Sequence, residues 1–345
     1  MLTTRRKPIY PIGAELREYL ARYGREVKLP ITYAELRHFR ESMPLVDKDE
    51  KDTLWHTVLY YSFEMQRIHD GLKEIYALLK CGGERSVMEH LYVDRIDFCS
   101  FGNSEPFRIR IVNSLNDNQD YYYVKKADAS RIYGLELEHL LSPNRMHFLT
   151  CEETLIEEHV AGIPGDVFIK DWLHNPQVKI VRLAKELVKF NERCFVRLLG
   201  DMRSCNFAMD MTPDVEEVQI RIRPTDFDQQ SYNERKNFYL PQFFKENREL
   251  VAYCLRHLNA TTARQYQREE QSLILRRMHL GAGRLRTLLD VMAVEQLSFP
   301  EKVAHLRADL AIHYKDERLN RCETMGALVR HNLETLNERR HKAGL

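Results

Sequence analysis

The stretch Val196–Met209, VRLLGDMRSCNFAM, sets an aspartate, an arginine and an asparagine between two apolar runs. A solvent loop needs no apolar brackets. A core segment does not tolerate an unpartnered Asp201 or Arg203, because burying a lone charge is strongly unfavourable. Something has to neutralise Asp201 and Asn206, and a metal–phosphate ligand is one candidate. Other islands line up with it. Tyr121-Tyr-Tyr-Val-Lys-Lys126 reads as a strand ending in lysines, Glu136 and Glu138 stand on the helix that follows, Glu157–Phe168 carries an apolar run into a Pro-Gly break, and Thr225-Asp-Phe-Asp228 comes after the alternating run VQIRIRP.

Those residues need a scaffold. The chain has 345 residues, 43% hydrophobic and 30% charged, which suits one large domain or a few modest ones with a proper core. A net charge of +1 makes no global case for nucleic acid or an anionic membrane. No apolar run reaches the roughly 18 residues of a membrane span, and MLTTRRKPIYPIGAEL lacks the apolar centre of a secretory signal. Seven cysteines without a CxxC pair predict reduced thiols in a cytoplasmic protein, with neither a disulfide frame nor a zinc site.

Apolar residues at three- and four-residue steps predict helices over residues 13–80, with one long pattern from Asp52 to Lys80 stopped at Cys81-Gly82-Gly83. Trp55 and Tyr60-Tyr61-Phe63 fall at helical spacing and read as core. Strands follow: YVDRIDFCSF, then PFRIRIVNS and YYYVKKAD, the last two joined by the turn LNDNQD into a hairpin. A helix SRIYGLELEHLL comes next, then the run ETLIEEHV. Beyond Asp171 the pattern is helical, except for short strands around CFVRLL, FAMDM and VEEVQIRIRPTDFD. From Pro241 onward it is helical, with breaks at residues 281–283 and 298–300. His279, Arg276, Arg277, Arg284 and Arg286 read as solvated basic helix faces. The order of elements predicts an α+β chain of two lobes.

In this order the islands resemble the signature of the protein-kinase-like superfamily: a strand lysine, a helix glutamate, a hinge, an Asp-x-Lys/Arg-x-x-Asn loop and an Asp-Phe-Gly-type metal site. The resemblance spans roughly residues 91–230 and is closest in pattern to the small-molecule (aminoglycoside and fructosamine) kinase branch. It implies a two-lobed protein-kinase-like fold: a helical N-terminal extension over 1–90, a β-rich N-lobe with one helix over 91–160, and a helical C-lobe with extra C-terminal helices over 161–345. It implies ATP- and Mg²⁺-dependent phosphotransfer to a hydroxyl of a small molecule or protein. Under the resemblance Asp201 accepts or orients the attacking hydroxyl and Arg203 faces the γ-phosphate. Asn206 and Asp226 hold Mg²⁺, a hard cation that takes oxygen ligands. Lys125 or Lys126 pairs with the α/β-phosphates, and strand alternation admits only one of them to a given face. Lys125 is favoured, because a tyrosine two residues ahead looks like the small-molecule kinases; Tyr123 could then stack on adenine. Glu136, or Glu138, orients the lysine, and the backbone of Glu158 and Val160 meets the adenine edge.

The chain also departs from the family pattern. The loop Ser100–Ser104 offers a single glycine, Gly102, to cup a phosphate. Leu199 stands where a histidine is usual, Asp228 replaces the glycine of the metal motif, and no Ala-Pro-Glu segment follows. The single-glycine loop and Leu199 support a rival reading, a pseudokinase acting as a nucleotide-binding or protein-interaction scaffold. An Asp-Phe-Asp form, by contrast, is familiar in the aminoglycoside- and fructosamine-kinase branch, and the missing Ala-Pro-Glu segment points to a small-molecule or constitutive kinase. No motif identifies the phosphate acceptor.

Overall fold

Alternating strands build one large antiparallel sheet. The computed structural model describes residues 7–213 and 218–342. It divides into two units, one ending at Ala129 and rejoined by Met146–His159, the other comprising Ser130–Arg145 and the chain from Val160 onward. The α+β expectation holds in each. Among the described residues no helix is long and apolar enough to cross a membrane.

The first unit holds β1 (Glu41–Val46), β2 (Asp52–Leu59), β3 (Leu91–Phe98), β4 (Phe107–Asn113), β5 (Gln119–Lys126), β6 (Phe148–Cys151) and β7 (Thr154–Glu158), in the order β1-β2-β3-β4-β5-β7-β6. Helices α1 (Ala14–Arg22), α2 (Tyr33–Leu36) and α3 (Ser62–Lys80) complete it. On one sheet face Phe107, Ile109 and Ile111 of β4 and Tyr122 and Val124 of β5 join Ile68, Leu72 and Ile75 of α3 in one core. Each such side chain, fully buried, stabilises by about 1.5–3 kcal/mol. The other face, by alternation, carries Arg108, Arg110, Tyr121, Tyr123 and Lys125.

Residues 1–90 are therefore not all helical, and the expectation is corrected there. The segment from Asp52 starts as a strand, with His56 opposite Pro44 on β1 and Phe98 on β3; the helix begins only at Ser62. Thr53, Trp55, Thr57 and Val58 favour a pleated surface, and cross-strand pairing outweighs their accidental helical spacing. Tyr60 is buried, but Tyr61 and Phe63 stack on one another at the surface, with Phe63 81% exposed. The stop after Lys80 is as expected, with Gly82 and Gly83 at φ 60° and 86°.

The second unit contains α4 (Ala129–Leu141, from Ser130), a three-stranded sheet of β8 (Ile163–Pro164), β9 (Phe207–Pro213) and β10 (Val218–Pro224), and helices α5 (Gly165–Val167), α6 (Ile180–Arg197), α7 (Arg248–Leu255), α8 (Ala260–Leu280), α9 (Ala282–Val294), α10 (Pro300–Tyr314), α11 (Met325–Glu334) and α12 (Leu336–Lys342). CFVR closes α6 instead of forming a strand: Phe190, Cys194 and Phe195 continue that helix's buried stripe. Of the expected strand VEEVQIRIRP, Val215–Glu217 lie outside the described residues.

Helix α4 is mostly apolar but carries three buried charges, each matched within the second unit. Arg131 donates to Asp226 at 2.8 Å and Asp228 at 2.6 Å. Glu136 accepts from Arg284 Nε at 3.0 Å and Nη2 at 2.7 Å, and Glu138 pairs with Arg197. Arg284 is thus an ion-pair partner, not the solvated residue its basic surroundings suggest. Gly134 lets α4 lie against Phe227, because a Cβ there would stand 3.0 Å from that side chain.

The Glu138 carboxyl is held below the usual carboxylate range. Burial pushes it up, but Arg197, with Ser142 and Asn144 donating to it, prevails. Its contribution is present above the unfolded-state pKa and is lost as pH falls through the lower folded value. Glu138→Gln leaves Arg197 buried without its counter-charge and should cost about 3–5 kcal/mol in urea denaturation at neutral pH. The gap from wild type should narrow only in strong acid.

Candidate functional site

The loop around Asp201 is set by the way α6 ends. Leu198 adopts the left-handed conformation, φ 54°, and the Leu199 N–H returns to the Cys194 carbonyl at 2.9 Å, a turn that closes the helix. Gly200 then passes so close to its neighbours that a Cβ would lie 3.0 Å from both the Gln229 carbonyl and the Phe238 ring. Asp201 is left-handed as well, φ 59°, a conformation aspartate tolerates better than most residues, and its N–H donates to the Phe238 carbonyl at 3.1 Å.

The charge in this loop is matched internally. Arg203 donates to Asp201 Oδ1 from Nε at 2.9 Å and from Nη2 at 2.7 Å. Asn206 Nδ2 donates to the Asp201 carbonyl at 2.8 Å. Partners drawn from the loop itself thus replace the external ligand that the apolar brackets suggested. Oδ2 of Asp201 receives only a long contact, 3.4 Å, from Asn206.

The β9–β10 register brings the second half of the constellation alongside. Phe207 stands opposite Pro224, and the Thr225 N–H donates to the Asn206 carbonyl at 2.9 Å, which leaves Asp226 one residue beyond. Asp226 Oδ1 accepts from Arg131 and from the Asp228 N–H at 3.0 Å. Its Oδ2 has no partner among the described residues, and its side chain is 34% exposed. Burial, with the Asp226 charge adding to it, pushes the Asp201 carboxyl above the usual aspartate range, against the pull of Arg203. The negative charge of Asp226 beside Asp201 suits a bound cation. Among the described residues no group of three His, Cys, Asp or Glu is arranged to hold a metal. Mg²⁺ here would therefore rest on Asp226 and Asn206, with water and phosphate oxygens as its other ligands, which is how this ion is commonly held.

In the first unit, Lys125 and Tyr123 share one sheet face, as alternation requires. Lys125 Nζ donates to Glu157 Oε2 at 2.7 Å, both residues being buried, and lies 5.0 Å from the Tyr123 ring centre. Tyr123 Oη meets His159 Nδ1 at 3.1 Å, and its ring is 6.4 Å from Trp55. The Lys126 N–H donates to the Ser104 carbonyl at 3.2 Å. Gly102 sits in a tight turn closed by the Glu105 N–H at 3.2 Å. The Glu158 N–H donates to the His147 carbonyl at 3.1 Å, and its carboxylate accepts from Lys80 at 3.2 Å. Val160 is buried in the second unit.

Several residues here escape sequence reasoning. Arg131 carried one signal, a charge in a mostly apolar helix. Gln230 bridges to Leu199, the position where a histidine was looked for, and donates Nε2 to the Arg197 carbonyl at 2.6 Å. Asp97, buried in the sheet, accepts from Arg95, from Arg108 at 2.8 Å and from Thr57 at 2.9 Å, while Arg108 lies over Trp55 at 4.5 Å. Searches against protein-family models and against curated proteins find no match to the chain.

Lys125→Met would remove the Lys125 counter-charge from buried Glu157, and should destabilise the protein by about 3 kcal/mol in thermal or urea unfolding. Lys126→Met, at a partly exposed position, should stay within about 0.5 kcal/mol of wild type. The reverse ranking would mean that the strand faces are misassigned.

Proposed function

We propose that the chain is a protein-kinase-like phosphotransferase that uses ATP and Mg²⁺ to phosphorylate a hydroxyl of a small molecule or protein. The observation that supports this is the register of β9 and β10, which joins Thr225 to Asn206 and so brings Asp226 to within one residue of the loop of Asp201 and Asn206. Phosphoryl transfer asks little covalent chemistry of a protein and much positioning and charge neutralisation. Asp201 is already oriented: Arg203 fixes Oδ1, and Oδ2 remains to accept a hydrogen bond from an acceptor hydroxyl. Arg203, 40% exposed, can also reach a phosphate oxygen. Asn206 and Asp226 supply oxygen ligands, and bound Mg²⁺ neutralises phosphate charge. Lys125 is assigned to the α/β-phosphates, Tyr123 to the adenine, and the backbone of Glu158 and Val160 to its edge. The expectation that Glu136 orients the lysine is corrected, because Glu136 is committed to Arg284 while Glu157 pairs with Lys125. Gly102 is assigned to the phosphate-cupping turn.

One observation favours the scaffold reading. Arg131 already neutralises Asp226 and Asp228, a role a metal would otherwise fill. The two readings separate by experiment. For the enzyme, Mg²⁺ with ATP should raise the melting temperature more than ATP with EDTA, because ligand binding to the native state stabilises it. Asp226→Ala should remove that metal-dependent increment while circular dichroism stays native.

Asp201→Asn should lower turnover by about 10²–10⁴-fold at unchanged nucleotide affinity. Asp201 must be ionised to accept a proton, so wild-type rates should fall as pH drops through a value above the ordinary aspartate pKa, and the mutant's residual rate should lack that limb. A scaffold gives equal silence from both proteins with every acceptor tried.

A further inference from the structure

Apart from these residues, the second unit has a cleft of 420 Å³ where the first half of α8 faces α12. Thr261, Arg264, Arg268 and Ser272 recur along α8 at three- and four-residue steps and so share a face, and Arg340 of α12 stands across from them. The electrostatics of this face are unfavourable as they stand. Arg264 and Arg268 are like charges one helical turn apart, an arrangement that weakens a helix. The carboxylate in the cleft wall, Glu269, is already matched by Lys185 at 2.8 Å and Lys189 at 3.4 Å. Arg264 and Arg340 have no acidic partner among the described residues.

A guanidinium is planar and pairs with phosphate through parallel N–H donors, whereas a scattered solvated face has no reason to converge from two helices. The Thr261 hydroxyl adds a neutral donor at the same mouth. Three guanidiniums suit a dianion better than a single carboxylate. The cleft is also much larger than a bare phosphate ion needs, since one water takes up only about 30 Å³ of liquid volume. We propose that this cleft binds the phosphoryl group of a small-molecule phosphate monoester, with Arg264, Arg268 and Arg340 as its anion ligands. None of these residues belongs to the constellation of Asp201, Asn206 and Asp226, so the site stands or falls independently of the phosphotransferase reading.

The test is isothermal titration of the full chain with phenyl phosphate and with inorganic phosphate, at matched ionic strength. EDTA is present so that no metal-held phosphate contributes. Phenyl phosphate should bind with a Kd of about 1 mM or tighter, and inorganic phosphate more weakly. Arg264→Gln and Arg340→Gln should each weaken phenyl phosphate about tenfold, the loss expected for one charge-assisted pair. Arg256→Gln, an exposed change elsewhere on the unit, and Asp226→Ala should leave the affinity unchanged. Absence of binding at about 20 mM ligand, roughly twenty times the expected Kd, overturns the site. So does an affinity indifferent to the Arg264→Gln/Arg340→Gln double change in protein whose circular dichroism is native. Equal affinity for the two ligands assigns the free ion and overturns the ester.

Discussion

The second unit depends on the three charges buried in α4. Arg131, Glu136 and Glu138 are each 2% exposed or less, in a helix whose other residues are mostly apolar. Such charges are tolerated only when paired and hydrogen-bonded, and removing one partner strands the other. Each pair therefore fixes a different element against α4: the segment after β10 through Asp226 and Asp228, the start of α9 through Arg284, and the end of α6 through Arg197. The end of α6 leads straight into the Asp201 loop, and the segment after β10 carries Asp226. Both halves of the candidate constellation are thus held by charges on one helix.

This arrangement bears on the chemistry. Asp201 and Asp226 each spend one carboxylate oxygen on a fixed arginine and keep the other less committed. Paired in this way, a carboxylate is oriented at little further entropic cost when a ligand arrives. The arginines also lower the local negative potential, so a cation bound there would be held by fewer net charges than two unpaired carboxylates would offer. The proposed Mg²⁺, if bound there, would be held with moderate affinity, and the same geometry would serve a purely structural network.

The sequence was most legible where one periodicity dominated. RIRIV alternates without ambiguity, and strand β4 stands where that alternation puts it, with β5 paired to it beyond the polar turn. Residues 52–59 carry both spacings, and the strand won because β1 and β3 offered partners that no local pattern reveals. Asp201, Asn206 and Asp226 could be singled out by type and spacing. Their partners could not: Arg131 lies 95 residues from Asp226, and Arg284 lies 148 from Glu136. Arg284 looked like one more solvated cation because its partner is hidden in a helix that reads as apolar. The aromatic and arginine-rich sheet face around Trp55 was lost with the strand that carries it.

Those separations also bear on the order in which the molecule can form during synthesis. The strands flanking α4 in sequence, β5 and β6, can pair soon after they emerge, since their partners are near. Helix α4 emerges between them with three ionic groups whose partners lie 59, 95 and 148 residues downstream. Until about residue 284 has left the ribosome, that helix lacks part of its matched environment and must stay partly hydrated or be shielded. Long-range closures of this kind slow folding and leave apolar surface open to misassembly. A nascent chain paused before α9 thus still lacks Arg284 for Glu136, and a truncation there would make that loss permanent.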